Sequence, residues 1–353
     1  MNYNEFLKYV EENLADCYQE TMVSEYIDNE IKRRDLADEL SDNAIDDIEL
    51  LRLRQEALKK YDEFEVSLHK VLKNNGVVLD AVSIYQKGEQ ISPNIYLKPF
   101  YDGYLIGKPM DFIMSEIVFQ YRNEKQESDF DFVDMKNYEE IKGNIIIRIV
   151  NYEMNKKLLK DCPYKKYLDM AVTFRYVVND SLLGIATILI SNKEFECFNV
   201  SVDELYQLAL FNTMEKFPWS MIPLSKFIYD CFDEHMMEKL SEDVVNELKS
   251  IENENIGVNI YILTNSTKAF GSACMMYDNV ISNFAKVQDA NVYILPSSVH
   301  EVMLVPEDEN TDPVFLTELL QNANRSSVGL IDLLSDNIYY FDRHKNEMTI
   351  FNV

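Results

Sequence analysis

What most constrains this chain is a series of short apolar, β-branched runs, separated by tight turn signals and by stretches of helical periodicity. Val66, Leu68 and Val71 precede Asn74-Asn75-Gly76, and Val77, Val78, Leu79, Val82 and Ile84 follow it. Asparagine and glycine tolerate the backbone angles that tight hairpin turns demand, so this pattern predicts a hairpin. A third strand is expected over 91–97. The run NIIIRIV at 144–150 is almost wholly β-branched and predicts a strand covered on both faces. Strands over 168–178 and 184–191 flank Asn179-Asp180-Ser181 and form a second hairpin.

Helices fall between these runs. Phe6, Val10, Leu14 and Cys17 recur at steps of three or four, which turns one stripe of a helix toward a core. Leu36, Leu40, Ala44, Ile48, Leu51 and Leu58 keep the same step through 21–63, a charged stretch free of glycine and proline that predicts an N-terminal helical arm. Pro109 suits the first position of a helix running to about residue 122. Ser201 and Glu204 have the spacing of a capping box and open a helix to about 217.

The segment 218–255 holds the only tryptophan, two prolines and then an acidic, helix-favouring run, and reads as a connector. Beyond it we expect strands over 258–263 and 270–276, a helix over 278–286, strands over 292–295 and 301–305, and a helix over 313–323 capped by Asp312. A closing hairpin follows. Strands punctuated by packed helices give an α+β fold, with antiparallel or mixed sheets in two halves. The expected segments are 1–63 (N-terminal helices and acidic arm), 64–217 (first α+β domain), 218–255 (helical acidic connector) and 256–353 (second α+β domain).

Composition narrows the function. The 353 residues are 47% hydrophobic and 12% aromatic, enough to build a sizeable core. No apolar run approaches the roughly 20 residues needed to span a bilayer, and the first residues lack a secretory pattern, so a cytoplasmic location without membrane attachment is expected. Five cysteines (Cys17, Cys162, Cys197, Cys231, Cys274) are odd in number and far apart, which argues against a disulfide framework. A formal net charge of −27 disfavours direct nucleic-acid binding, because phosphate contacts need clustered lysine and arginine. Spread evenly, that charge is several times sparser than the phosphates of duplex DNA, so imitation of nucleic acid would require clustering.

Chemistry-bearing motifs are sparse. There is no phosphate-binding loop, dinucleotide fingerprint, zinc-protease motif or calcium loop, and the nine glycines offer few backbone nests. His69, His235, His300 and His344 stand far apart without a partner at metal-ligand spacing. We therefore expect no cofactor and no metal. The most suggestive stretch is 293–308, YILPSSVHEVMLVPED. His300 could act as general base on Cys274 or Ser298, with Glu301 orienting the ring. Neighbouring strand residues point to opposite faces, so His300 and Glu301 share a site only if the backbone bends. The competing reading is a Pro-Ser-Ser turn whose hydroxyls cap backbone groups.

The segments NNGVVLDAVSIYQKGEQISPNIYL, GIATILISN, FGSACMMYDNVISNFA, YILPSSVHEVMLVP, NANRSSV and LLSDNIYYFDR resemble an uncharacterised bacterial domain-of-unknown-function family, abundant in anaerobic Gram-positive bacteria. The resemblance covers about 64–345, is most specific at PSSVHEV, and implies no activity, cofactor or catalytic residue. The leading expectation is a non-enzymatic binding protein with a protein partner, contacted through Asp35, Asp38, Glu39, Asp42, Asp46, Asp47 and Glu49. The alternatives are an acidic, nucleic-acid-mimicking inhibitor of a nucleic-acid enzyme, and a hydrolase or transferase using Cys274 or Ser298 with His300.

Overall fold

A computed structural model describes residues 1–37, 47–62, 64–86, 92–127, 134–181, 184–224, 226 and 259–352, with backbone alone at 34–37, 126–127, 179–181 and 184. Contacts between backbone positions divide it into two units, Met1–Lys73 with Val78–Asp131, and Asn74–Val77 with Phe132–Val353. The fold is α+β, and its sheets are antiparallel.

In the first unit the predicted stripe forms: α1 (Tyr3–Ala37) buries Phe6, Val10, Leu14 and Tyr18. It packs against the hairpin of β1 (Phe64–Leu72) and β2 (Val78–Gln86), with β3 (Ile95–Tyr96) beside β2. The helix α3 (Lys98–Leu105) precedes α4 (Met110–Glu127), which closes this core with Ile113, Ile117 and Tyr121. The hydroxyl of Tyr121 donates to the Ile84 carbonyl at 2.6 Å, satisfying a polar group inside the apolar layer.

The expected N-terminal helical segment comprises α1 and a second helix, α2 (Asp47–Lys60). It runs back along α1, with Arg54 paired to Glu20 at 2.6 Å and Gln19 Nε2 donating to the Tyr61 carbonyl at 3.0 Å. Leu53 and Ala57 are its buried residues, while the predicted Ile48 and Leu51 are 78% and 61% exposed and Leu58 is half-buried. A stripe drawn through two separate helices need not keep one phase. Leu40, Ala44 and the side chain of Leu36 lie outside the described residues.

The second unit contains two sheets. The first is β4 (Ile145–Asn151), β6 (Met170–Ser181) and, along the other edge of β6, β5 (Tyr164–Tyr167) and β7 (Gly184–Leu189). The second has the order β13-β12-β10-β11-β9-β8, formed by β8 (Trp219–Pro223), β9 (Tyr261–Asn265), β10 (Val292–Leu295), β11 (Val302–Pro306), β12 (Tyr339–Asp342) and β13 (Glu347–Ile350). Among the described residues this unit also has helices α5 (Tyr138–Ile141), α6 (Asn192–Phe198), α7 (Val202–Lys216), α8 (Val280–Gln288) and α9 (Pro313–Ser326). The capping box of Ser201 and Glu204 is present, and Asp312 accepts from the backbone of Val314 and Phe315.

One apolar cluster joins Ile145, Ile147 and Ile149 of β4 and Phe174 of β6 to Leu263, Ile294, Leu304 and Tyr339 of the second sheet. The expected division into domains at 64–217 and 256–353 therefore runs through a shared core. Residues 219–223, expected within a helical connector, pair with β9 as an edge strand. Pro223 ends that strand, where a missing N–H leaves no ladder partner unsatisfied. Most of the acidic connector lies outside the described residues.

A second departure positions the candidate site. Residues 270–276, expected as a strand, form a 3₁₀ turn over Gly271–Met276. A Cβ at Gly271 would stand 2.2 Å from Thr264 Oγ1 and 2.6 Å from the His300 carbonyl oxygen, so this backbone approaches its neighbours as only glycine can. Phe270 precedes it with φ 55°, a left-handed conformation costly for a bulky side chain. Among the described residues no helix is long and apolar enough to cross a membrane.

Candidate functional site

The Pro-Ser-Ser turn is held from several sides. Ser272 Oγ donates to the Val299 carbonyl at 2.8 Å, Thr264 Oγ1 donates to the His300 carbonyl at 2.8 Å, and the Val299 N–H donates to the Asp332 carbonyl at 2.8 Å. Leu334 and Ser335 return N–H groups to Ser297 and Pro296. Ser297 and Ser298 are consequently buried. The Ser298 hydroxyl accepts from the His300 backbone N–H at 3.0 Å, the behaviour of a turn-capping serine.

The backbone bends before β11 begins at Val302, which brings His300 and Glu301 into one neighbourhood. Burial raises the Glu301 carboxyl, with His300 and a Ser298 hydrogen bond acting the other way. Both ring nitrogens of His300 are committed. The Phe270 N–H donates to Nδ1 at 3.3 Å, which assigns the lone pair there and the proton to Nε2, 3.2 Å from Asp332 Oδ1. Asp332, rather than Glu301, is the carboxylate that orients the ring. Cys274 is fully buried in the main apolar cluster, and burial pushes its thiol up to about 12. A protonated, enclosed thiol is a poor nucleophile.

Behind the imidazole lies a feature that motif reasoning missed. The Phe270 ring sits 5.1 Å from the His300 ring, and the Arg148 guanidinium carbon lies 3.1 Å from the Phe270 ring centroid. Arg148 pairs with Thr173 across β4 and β6, and Arg175 pairs with Ile146. Thr173 and Arg175 are two apart on one strand, so Arg148 and Arg175 are diagonal neighbours on the same face. Tyr164 of β5 stands opposite Thr173, and Leu189 of β7 opposite Arg175.

The Nε of each arginine is sealed from solvent and has no hydrogen-bond partner, and neither guanidinium has an ion pair among the described residues. Burial, then the charge of Arg175, holds Arg148 well below the ordinary arginine range. Burial pushes Arg175 down to about 10, with Cys162 acting the other way. A guanidinium stays protonated at neutral pH, so these shifts express the free-energy cost of drawing each charge away from water, with the like charge of Arg175 adding to it at Arg148. Both residues retain some exposed surface, so the site is reachable. The one available signal was the lone arginine inside NIIIRIV.

Residues 49–343 match a family of unknown function, DUF5688. The chain belongs to the DUF5688 family. No curated protein and no solved structure matches it. The DUF5688 region includes α2 from Glu49 onward, every described strand except β13, and the whole arginine-aromatic stack.

The remaining sequence candidates are dispersed. Asp38, Glu39, Asp42, Asp46, Cys231, His235 and the side chain of Asp35 lie outside the described residues. Asp47 and Glu49 occupy the first turn of α2, where negative charge complements the free N–H groups of a helix start. His69 bonds Asn94 at 2.6 Å in the first unit. No group of three or more metal-ligating side chains is found among the described residues. In the first unit a hollow of about 400 Å³ lies between α3 and α4, lined by Phe100, Phe119 and the Lys108–Glu116 ion pair.

Proposed function

We propose that this DUF5688 protein is a binding protein that takes up an anionic group at Arg148 and Arg175. The observation that carries the reading is a pair of part-buried arginines, each with a sealed, unpartnered Nε and no carboxylate partner among the described residues, in a chain of net charge −27. A fully buried, uncompensated ion costs several kcal/mol; these part-buried guanidiniums bear a fraction of that, which the stack on Phe270 offsets in part for Arg148. Arg175 has no aromatic ring beneath it among the described residues. Against a total stability on the order of 5–15 kcal/mol even a part of that cost matters, and a bound anion relieves it.

Binding is favoured over catalysis because the groups that might do chemistry have other work. The imidazole of His300 spends both nitrogens on Phe270 and Asp332, and its effect is to fix the ring on which the stack ends. The strained backbone of Phe270 fits the same reading, since strain persists where surrounding contacts over-determine a functional position.

The test is thermal unfolding of the full chain in sodium chloride, acetate, sulfate and phosphate at equal ionic strength. At least one oxyanion raises the midpoint above that in chloride, and the combined Arg148→Met and Arg175→Met variant loses the difference. Equal midpoints in all four salts refute an anion site.

A further inference from the structure

The arginine pair also restricts which anion fits, and this step rests on the anion-binding reading given above. Arg148 offers its flat face to Phe270, so only its N–H edge remains for a ligand. That edge is a planar fork whose two parallel N–H groups match two oxygens of one oxyanion. Arg175 rises from the adjacent strand, at the diagonal separation of about 7–8 Å typical of such pairs. Two long side chains so placed can converge on a single group from different directions.

A planar carboxylate presents two oxygens and is saturated by one fork. It also carries one charge, which leaves the second guanidinium uncompensated. A tetrahedral phosphate monoester presents three terminal oxygens, enough for a fork and a second donor. Its second ionisation lies near pH 6, so at neutral pH its charge approaches two and matches the pair. Backbone help is limited: the chain holds nine glycines and no phosphate-binding loop motif, so side chains must supply the recognition. Phe270 and Leu189 add apolar surface that raises the strength of charge pairing by excluding water. The Thr173 hydroxyl between the two arginines already donates to the Arg148 carbonyl at 3.0 Å.

We propose that Arg148 and Arg175 of this chain hold the doubly charged terminal phosphate of a phosphomonoester.

Calorimetric titration of the full chain at pH 7.5 with methyl phosphate, methyl sulfate and acetate separates charge from shape. Methyl sulfate has the tetrahedral form of methyl phosphate but a single charge. Methyl phosphate is expected to bind about tenfold or more tighter than either of the others. The Arg175→Gln variant should bring its affinity down to that of methyl sulfate. Should Arg175→Gln fail to fold, Arg175→Met serves, because an apolar chain of similar length removes the charge while filling the space. Equal binding of methyl phosphate and methyl sulfate overturns the doubly charged ligand and leaves an anion site standing. Undiminished binding in both arginine variants overturns the assignment to this pair. No heat with any of the three overturns the anion reading and this inference together.

Discussion

The guanidinium of Arg148 lies on the ring of Phe270 at 3.1 Å, while its Nε faces no acceptor. The stack satisfies the cation's flat face and leaves its hydrogen-bonding edge unused. Unfolding in urea therefore gives two opposed effects. Arg148→Met alone raises stability by about 1 kcal/mol, because a part-buried charge with a sealed, unpartnered Nε is exchanged for apolar volume. In a double-mutant cycle with Phe270→Leu, the two residues show a coupling of about 1–2 kcal/mol. Additive effects would mean that the stack contributes nothing.

Gly271 is the hinge of the 3₁₀ turn that presents Phe270. A methyl group there meets two backbone atoms, the His300 carbonyl oxygen at 2.6 Å and the Asn265 nitrogen at 2.7 Å. Neither can rotate away, so Gly271→Ala lowers stability by roughly 3 kcal/mol. A urea midpoint unchanged from wild type would show that the turn has slack.

The phase of α2 is tested by two leucines, Leu51 on the stripe that periodicity predicts and Leu53 off it. Leu53 is buried and Leu51 is 61% exposed. Leu53→Ala costs about 2–5 kcal/mol through lost burial and the cavity left behind. Leu51→Ala stays within about 0.5 kcal/mol. Chemical unfolding of both variants decides, and a reversed order would place the predicted stripe back on the inside.

Alkaline pH acts through Tyr339. Burial first, then the charge of Asp169 and the 2.5 Å hydrogen bond to it, raise the Tyr339 phenol above its ordinary value. A folded-state value above the unfolded one means that the stabilising effect is fully present below about pH 10 and lost as pH rises beyond it. Tyr293, pushed up to about 12 by burial and then Glu307, contributes in the same direction. Urea midpoints between about pH 8 and 11.5 should fall steeply in the wild type. Tyr339→Phe is less stable at pH 8, through the lost bond to Asp169, and declines less on the alkaline side. Parallel curves would exclude Tyr339 as the titrating group.

How much of this was legible beforehand follows from the range of each signal. The Asn74-Asn75-Gly76 turn, the Ser201 capping box and the Asp312 cap are settled within a few residues, and they stand where periodicity and turn chemistry put them. The 3₁₀ turn at Gly271 was misread as a strand because its apolar neighbours FGSACMM have the composition of one. Its actual shape depends on a close approach to Thr264 and His300. The candidate site followed the same division. Ser298, His300 and Glu301 were visible as a polar cluster, but the carboxylate that meets the imidazole, Asp332, comes from 32 residues away.

The sequence by itself determined the α+β class, the hairpins, most helix starts and the scarcity of reactive motifs, because propensity, capping and alternation act over a few neighbouring positions. Tertiary packing settled that α2 turns Leu53 inward, that one core crosses the expected domain boundary, and that Arg148, stacked on Phe270, stands diagonal to Arg175. Strand register fixes which side chains share a face, and burial depends on what another part of the chain lays over that face. Neither quantity is stored in any local stretch of residues, so an arginine inside a β-branched run reads the same whether it meets water, a carboxylate or nothing at all.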